Sequence, residues 1–271
     1  MAPPFLSRQE RFAVVDSTND VVRGWLAEGT PEVCLAVADE QTAGRGRDGR
    51  SWTAPAGAAL LLSLGFRPTW LAAEWVWRLA ATVSLAMADA AEEVAGLPEL
   101  SITLKWPNDL YAPAADAVPR KLAGVLGETD GLGGPDPRAV IGIGVNSDWP
   151  PGAFPPELAG TMTSLREASQ GRPVDRARLL DTFLSRLEAR IEALRDGRFD
   201  VAGWTERQLT SGHEVELDGP DGGRGAYRAL GVDAHSGGLV VEDPTSAAGE
   251  RILHVGEVRR VRLAHGAQVG V

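Results

Sequence analysis

At 271 residues, with 44% hydrophobic and 24% charged side chains, the chain can bury a substantial core as one large domain or as a main domain with a small appendage. Its formal net charge of −10 argues against a broad nucleic-acid footprint, because phosphate binding needs a basic face. The one cysteine, Cys34, excludes an intrachain disulfide framework and the 4 histidines show no zinc spacing; with no signal-peptide pattern and no apolar run of membrane-spanning length, a soluble cytoplasmic protein is expected.

Residues 11–18, RFAVVDST, read as a short strand ending in a helix cap, with Ser17 or Thr18 capping a helix through NDVVRGWLAEG that stops at Gly29. EVCLAVADE is a second strand, and GAALLLSLGFRP a third. From Trp70 to Val94, Trp77, Ala80, Ala81, Ser84, Leu85 and Ala88 recur at helical spacing, which predicts a long packed helix. SITLKWPNDLY, KLAGVLGET and AVIGIGVNSD are three apolar strand-like runs separated by connectors at 113–119 and 131–137. Small residues between bulky ones suit a sheet covered by helices on one side. Between Asp175 and Leu209 the pattern is helical again, with Leu179, Leu180, Phe183, Leu187, Ile191 and Leu194 at three- and four-residue steps. HEVELDG, GAYRALGVDA, GGLVVEDP and RILHVGEVRRVRL then alternate with Gly and Asp turns, the pattern of a small β-barrel of about 55 residues.

Between the second and third strands lies QTAGRGRDGR, residues 41–50, with Gly44, Gly46 and Gly49 at dinucleotide-loop spacing. That motif needs a helix after it to carry the pyrophosphate, and RSWTAPAG, with Pro55, builds none. Kinase-type and Walker A loops fail for want of their hydrophobic and lysine positions. What remains is chemistry: glycines let backbone N–H groups approach an anion, and Arg45, Arg47 and Arg50 add planar forks suited to phosphate or carboxylate. Three arginines so close repel one another, so the loop is expected to be mobile until an anion orders it; a solvated basic turn is the alternative.

Among the basic residues 25 are arginine and only two, Lys105 and Lys121, are lysine, which marks them as places for a compact ammonium rather than a fork. Both stand in motif-like surroundings. KWPNDLY gathers a lysine, an aromatic, an amide and a carboxylate around Pro107, and RKLAGVLGE opens a strand with Lys121 followed by small residues that allow close approach.

In order along the chain, DSTN (16–19), DEQTAGRGRDGRSW (39–52), LKWPNDLY (104–111), RKLAGVLGE (120–128), IGIGVN (141–146) and TSLRE (163–167) resemble the motifs of the biotin protein ligases of the short, non-repressor type. The resemblance implies an α+β fold: a mixed sheet flanked by helices, like class II aminoacyl-tRNA synthetases, at 1–209, then an SH3-like β-barrel at 210–271. It also implies an ATP- and Mg²⁺-dependent reaction in two halves. Biotin and ATP first give biotinyl-5′-AMP and pyrophosphate; a lysine of a biotin carboxyl carrier domain of an acyl-CoA carboxylase then takes the biotin and releases AMP. No enzyme nucleophile is needed, so catalysis is placement and charge neutralisation.

Carried over by motif, the resemblance assigns biotin to Ser17, Thr18, Asn19, Gln41, Gly44, Gly46, Gly124, Leu126 and Gly144, with Arg45, Arg47 and Lys121. ATP and the adenylate share Arg45, Arg47 and Lys121 and add Arg50, Trp52, Lys105, Asn108 and Asn146. Arg45, Lys121 and Asp109 are implied to be catalytic, Asp109 either orienting the acceptor amine or touching the metal indirectly; metal ligands are left unassigned. Plainer roles stand beside these: Ser17 or Thr18 as a helix cap, Trp52 and Trp106 as core aromatics, the glycines of IGIGVN as aids to strand packing. The stretch before Ser17 is too short for a repressor's winged helix, so DNA binding is not expected, nor is a membrane partner. A homodimer is left open. The connector APAADAVP is longer than the family's usual turn. A non-catalytic biotin- or adenylate-binding module and a lipoate-type ligase of the same fold are the rival functions.

Overall fold

The structure, a computed structural model, describes residues 5–114, 116, 118–150, 152–218, 224–254, 256–263 and 268–270. β1 (Arg8–Val15) leads into α1 (Thr18–Ala27), β2 (Cys34–Gln41), β3 (Ala59–Phe66), the long α2 (Trp77–Ala95), β4 (Thr103–Lys105), β5 (Asp109–Pro113), β6 (Pro119–Asp130) and β7 (Arg138–Asn146). The short α3 (Pro156–Ala159) and α4 (Leu165–Ala168) precede α5 (Arg176–Arg195) and α6 (Val201–Glu206). The first seven strands form one mixed sheet in the order β1-β2-β3-β7-β6-β5-β4. Only β1 and β2 run parallel.

Strand alternation decides the layers. Leu35, Val37, Leu60, Leu62 and Leu64 join Leu85 and Met87 of α2 and Phe183 and Leu187 of α5 in the largest core. Cys34, Ala36 and Val140 face the other way, against Val22, Trp25 and Leu26 of α1. Helices therefore cover both faces, not one as the pattern suggested. The short α1 fits because Gly65 leaves room: a Cβ there would lie 2.6 Å from Cys34 Sγ and 2.7 Å from Val22 Cγ1.

Several element boundaries differ from the sequence expectation for local reasons. The helix expected from Trp70 begins only at Trp77, after a 3₁₀ turn at Ala73–Trp75, and ends where Gly96 takes a φ of 62°. The helix expected across 175–209 is two. Asp175 caps α5 by accepting from the amides of Ala177 and Arg178, Gly197 breaks the chain at a φ of 78°, and Asp200 caps α6. SITLKWPNDLY is a β4–β5 hairpin rather than one strand, with Trp106, Pro107 and Asn108 in its turn. Of the connector at 112–119, residues 115 and 117 lie outside the described residues.

The C-terminal strands β8 (Glu214–Asp218), β9 (Arg224–Val232), β10 (Leu239–Glu242), β11 (Glu250–Leu253), β12 (Glu257–Arg262) and β13 (Gln268–Gly270) form a separate antiparallel sheet ordered β11-β10-β9-β8-β12-β13, consistent with an SH3-like unit. RILHVGEVRRVRL thus supplies two strands, not one. Trp106 and Tyr111 of the β4–β5 hairpin complete the core of Val215, Leu217, Leu239, Val241, Val258 and Val261.

A buried ionic knot ties α2 to the segment entering β4 and to the end of α6. Arg207 forks onto Glu92 at 2.7 and 2.9 Å and reaches Asp89 at 2.8 Å, while Glu92 also accepts from the Ile102 amide at 2.8 Å. Glu92→Ala strands a guanidinium and an amide in the interior, so urea unfolding is expected to show a loss of about 3–5 kcal/mol.

Candidate active site

A cavity of about 310 Å³ lies on the α1 face of the main sheet, within the size range of small-molecule sites. Strand register makes its floor. Gly124 pairs with Gly144, which pairs with Leu61; Leu126 pairs with Gly142, which pairs with Ser63. These residues therefore point to one side of β3, β6 and β7. A Cβ at Gly144 would lie 2.6 Å from Trp52 Nε1, one at Gly124 would lie 3.4 Å from Trp52 Cζ3, and one at Gly142 would overlap Asn19 Oδ1. The glycines make room for side chains above the sheet, which replaces the reading that they merely ease strand packing. Gly144→Ala is expected to push the Trp52 indole into the cavity and weaken ligand binding by about 1–3 kcal/mol, measurable by titration calorimetry.

At the start of α1, Ser17 holds the cap position but its side chain makes no cap hydrogen bond; it is buried and lines the cavity. Gln41 takes over that work, its Oε1 accepting from the Thr18 amide at 2.8 Å and hydroxyl at 3.0 Å. Thr18 Oγ1 lies 2.7 Å from Ser63 Oγ, which donates to Asn19 Oδ1 at 2.5 Å, and Asn19 Nδ2 donates to Glu128 Oε2 at 2.6 Å. Gln41, Thr18, Ser63 and Asn19 thus form one polar chain, with Ser17 beside it on the cavity wall. Ser63 is the member that sequence reasoning missed, although a lone hydroxyl inside ALLLSLGF was a signal.

The arginine loop folds back on itself. Gly46 N donates to Arg50 O at 2.7 Å, Trp52 N to Gly44 O at 2.9 Å, and Arg45 and Ser51 form a β-bridge. Between them Arg47–Gly49 is a 3₁₀ turn, with Asp48 at a φ of 56° and Gly49 at 73°. Nothing helical follows, as the failed dinucleotide motif required. Arg45 forks onto Asp20 at 2.6 and 2.9 Å and reaches Glu128 at 3.4 Å. The hydrogen bond from Arg45 draws the Asp20 carboxyl below its ordinary value, and the same bond raises Arg45. Arg47 donates to Gly256 O at 3.4 Å and Arg50 Nε to Arg47 O at 3.2 Å. The self-repulsion expected of the loop is relieved at Arg45 by Asp20 and Glu128, two carboxylates to which the motifs gave no role. Arg45, Gly46, Arg47, Arg50 and Trp52 all line the cavity.

Lys121 also lines it, with Nζ 2.7 Å from Asp109 Oδ1 and only 12% and 8% of the two side chains exposed. The backbone of Lys121 is clamped between Thr161 O and Thr163 N, each at 2.9 Å. Asp109 faces a second cavity of about 220 Å³, between α2, the β4–β5 hairpin and the C-terminal sheet. Asn108 and Val125 line both cavities. The Lys121–Asp109 pair therefore stands at their boundary.

Four expected site residues do not line the first cavity, Asp109, which faces the second, being one of them. Lys105 is 2% exposed and its ammonium donates to Val258 O of β12; it borders the second cavity instead. Asn146 is 1% exposed and donates to Thr163 O at 3.1 Å. Gly44 is closed over by Trp52 O. For Lys105 and Asn146 a partner distant in sequence, invisible to motif spacing, sets the position; for Gly44 it is the return of its own loop. Trp106 is a core aromatic, as the plainer alternative had it, whereas Trp52 is not. Ser51, Leu62, Val125, Ile143, Leu158 and Met162, with Gly142 of the floor, complete the lining and were not foreseen.

Among the described residues no three His, Cys, Asp or Glu side chains converge on a metal position. The side chains present therefore do not fit a protein-built magnesium cage. No helix among them is long and apolar enough to cross a membrane.

The sequence profile of the Biotin/lipoate A/B protein ligase family matches residues 11–146. A biotin--[acetyl-CoA-carboxylase] ligase of Mycobacterium tuberculosis is 34% identical over 213 residues, 78% of this chain and 74% of that protein. One from Paracoccus denitrificans is 32% identical over 253 residues, 91% of this chain and 98% of that protein. A solved biotin protein ligase from Aquifex aeolicus, in complex with biotin and ATP, has a TM-score of 0.75 at 26% identity, covering 93% of this chain and 98% of that one.

Proposed function

This chain belongs to the biotin/lipoate A/B protein ligase family, and on that footing we propose that it is the ligase that adenylates biotin and transfers it to a lysine of a biotin carboxyl carrier domain. One observation carries the reading. A single cavity joins a neutral hydrogen-bonding end (Ser17, Thr18, Asn19, Gln41) over a glycine floor to a cationic end of Arg45, Arg47, Arg50 and Lys121. The first end suits an uncharged bicyclic ring with a ureido group. The second suits a carboxylate and a phosphate brought together.

In the first half-reaction a biotin carboxylate oxygen forms a bond to the α-phosphorus of ATP, the bond from that phosphorus to the bridging oxygen breaks, and pyrophosphate leaves. Lys121, a point charge held by its clamped backbone, neutralises the carboxylate and then the bridging oxygens; the arginines stabilise the phosphates. ATP arrives as its magnesium complex. Trp52, 5.7 Å from Lys121 Nζ to its ring centre, walls the anhydride from water. Asp109, facing the neighbouring cavity, is assigned the acceptor amine rather than the metal. Asn146 and Lys105 act from behind the site, fixing the 161–163 segment and the C-terminal sheet. We place the boundary of the catalytic and C-terminal units at 209/210, and the carrier as that of an acyl-CoA carboxylase.

Incubation with Mg-ATP, a carrier domain and either biotin or lipoate tests this reading by mass spectrometry. Biotin on the carrier lysine is expected. Lipoyl transfer would favour the sister activity, and tight biotin binding with no product would favour a non-catalytic module.

A further inference from the structure

The second cavity adjoins the site proposed for the adenylate, sharing Asn108 and Val125 with it. Its rim holds the exposed His254, and its depth holds Lys105, Asp109 and Gln208, which are 2%, 7% and 8% exposed. Trp77, Trp106 and Trp204 form its walls. The polar groups there are unevenly spent. Trp106 Nε1 donates to Gly237 O at 3.1 Å, Trp77 Nε1 to His235 O at 3.3 Å, Ser84 Oγ to Ala80 O at 2.8 Å, and the Lys105 ammonium to Val258 O. Gln208 Nε2 is likewise occupied by Trp204 O, at 3.2 Å. Gln208 Oε1, by contrast, is a buried acceptor with no partner among the described residues, a costly state unless a donor arrives.

Aromatic walls with an idle acceptor and a carboxylate at the inner end, and with the indole donors of Trp77 and Trp106, the serine and the lysine engaged, suit an alkyl chain tipped by an amine. We infer that this cavity is the port through which the acceptor lysine side chain reaches the adenylate, its methylenes between the tryptophans and its nitrogen passing Gln208 Oε1 to Asp109. The inference rests on the functional reading above. Lys105 and Lys121 near the inner end favour a neutral incoming amine, the form that attacks. Its nitrogen bonds to the biotinyl carbonyl carbon, the bond from that carbon to the phosphate oxygen breaks, AMP leaves with the electron pair, and the amine proton passes to Asp109 and on to water.

The test fills the port without touching the first cavity. Ala80 lines the port on the half-buried side of α2, so Ala80→Trp should fold and obstruct it; Gln208→Met removes the idle acceptor at similar volume. Two rates are compared with wild type: biotin-dependent pyrophosphate exchange, and transfer from supplied biotinyl-AMP to the carrier domain. For Ala80→Trp, exchange is expected to stay within roughly twofold while transfer falls at least about tenfold; for Gln208→Met, the KM for carrier rises and exchange holds. Unchanged transfer in Ala80→Trp, or an equal fall in both rates, would overturn the port. Because transfer starts from supplied adenylate, a wild-type protein that fails to exchange would defeat the functional reading while leaving the port's own result readable.

Discussion

Lys121→Ala is expected to slow biotinyl-adenylate formation by about 10²–10³-fold, the scale of losing a preorganised charge aimed at a developing anion. It is also expected to lower stability. Lys121 Nζ lies 2.7 Å from Asp109 Oδ1 with both side chains largely buried, and removing one partner of a buried pair costs about 3–5 kcal/mol. The two losses separate in the double variant Lys121→Ala/Asp109→Asn. Without the orphaned carboxylate, urea unfolding should recover most of the lost stability, while pyrophosphate release stays low. Near-normal adenylate formation in either variant would remove Lys121 from the reaction.

Arg45→Ala is expected to lose about 10²-fold in the same half-reaction, for a reason the loop sequence alone does not contain. Arg45 contributes a cation and also neutralises Asp20 and Glu128, which it touches at 2.6 and 3.4 Å. Its removal leaves those two carboxylates to Arg23 alone, which pairs with both, and so adds net negative charge near the mouth of a site that must admit two anions. The KM for ATP should therefore rise, more steeply at low salt than at high salt, where repulsion is screened. Arg45→Ala/Asp20→Asn should recover part of the loss, as the repulsive share is relieved. A KM independent of salt and indifferent to Asp20 would show that the carboxylates play no part.

Much of this site was legible in the letters. GRGRDGR followed by SWTAPAG could not build the helix a dinucleotide needs, and the loop is indeed a turn that folds back on itself, Ser51 bridging to Arg45. In a chain that otherwise writes positive charge as arginine, both lysines mark buried positions, Lys121 against Asp109 and Lys105 against a β12 carbonyl. The β strands and the stripes of α2 and α5 followed from periodicity of two and of three to four. What stayed hidden depends on register and on partners far along the chain. That Gly124 and Gly144 lie side by side under Trp52 follows from β6–β7 pairing, not from either motif. That Asp20 and Glu128 restrain Arg45 needs α1 and β6 to meet. The division of the 175–209 helix turned on one residue, Gly197, whose positive φ local pattern did not announce.

The most direct measurement is made without carrier. Protein is mixed with Mg-ATP and biotin, and pyrophosphate and bound nucleotide are followed in time. A burst of pyrophosphate stoichiometric with enzyme, biotinyl-AMP retained in the protein, and discharge of AMP when carrier domain is added are the results expected. Pyrophosphate release that ignores biotin, or bound biotin with no adenylate, would contradict the assignment.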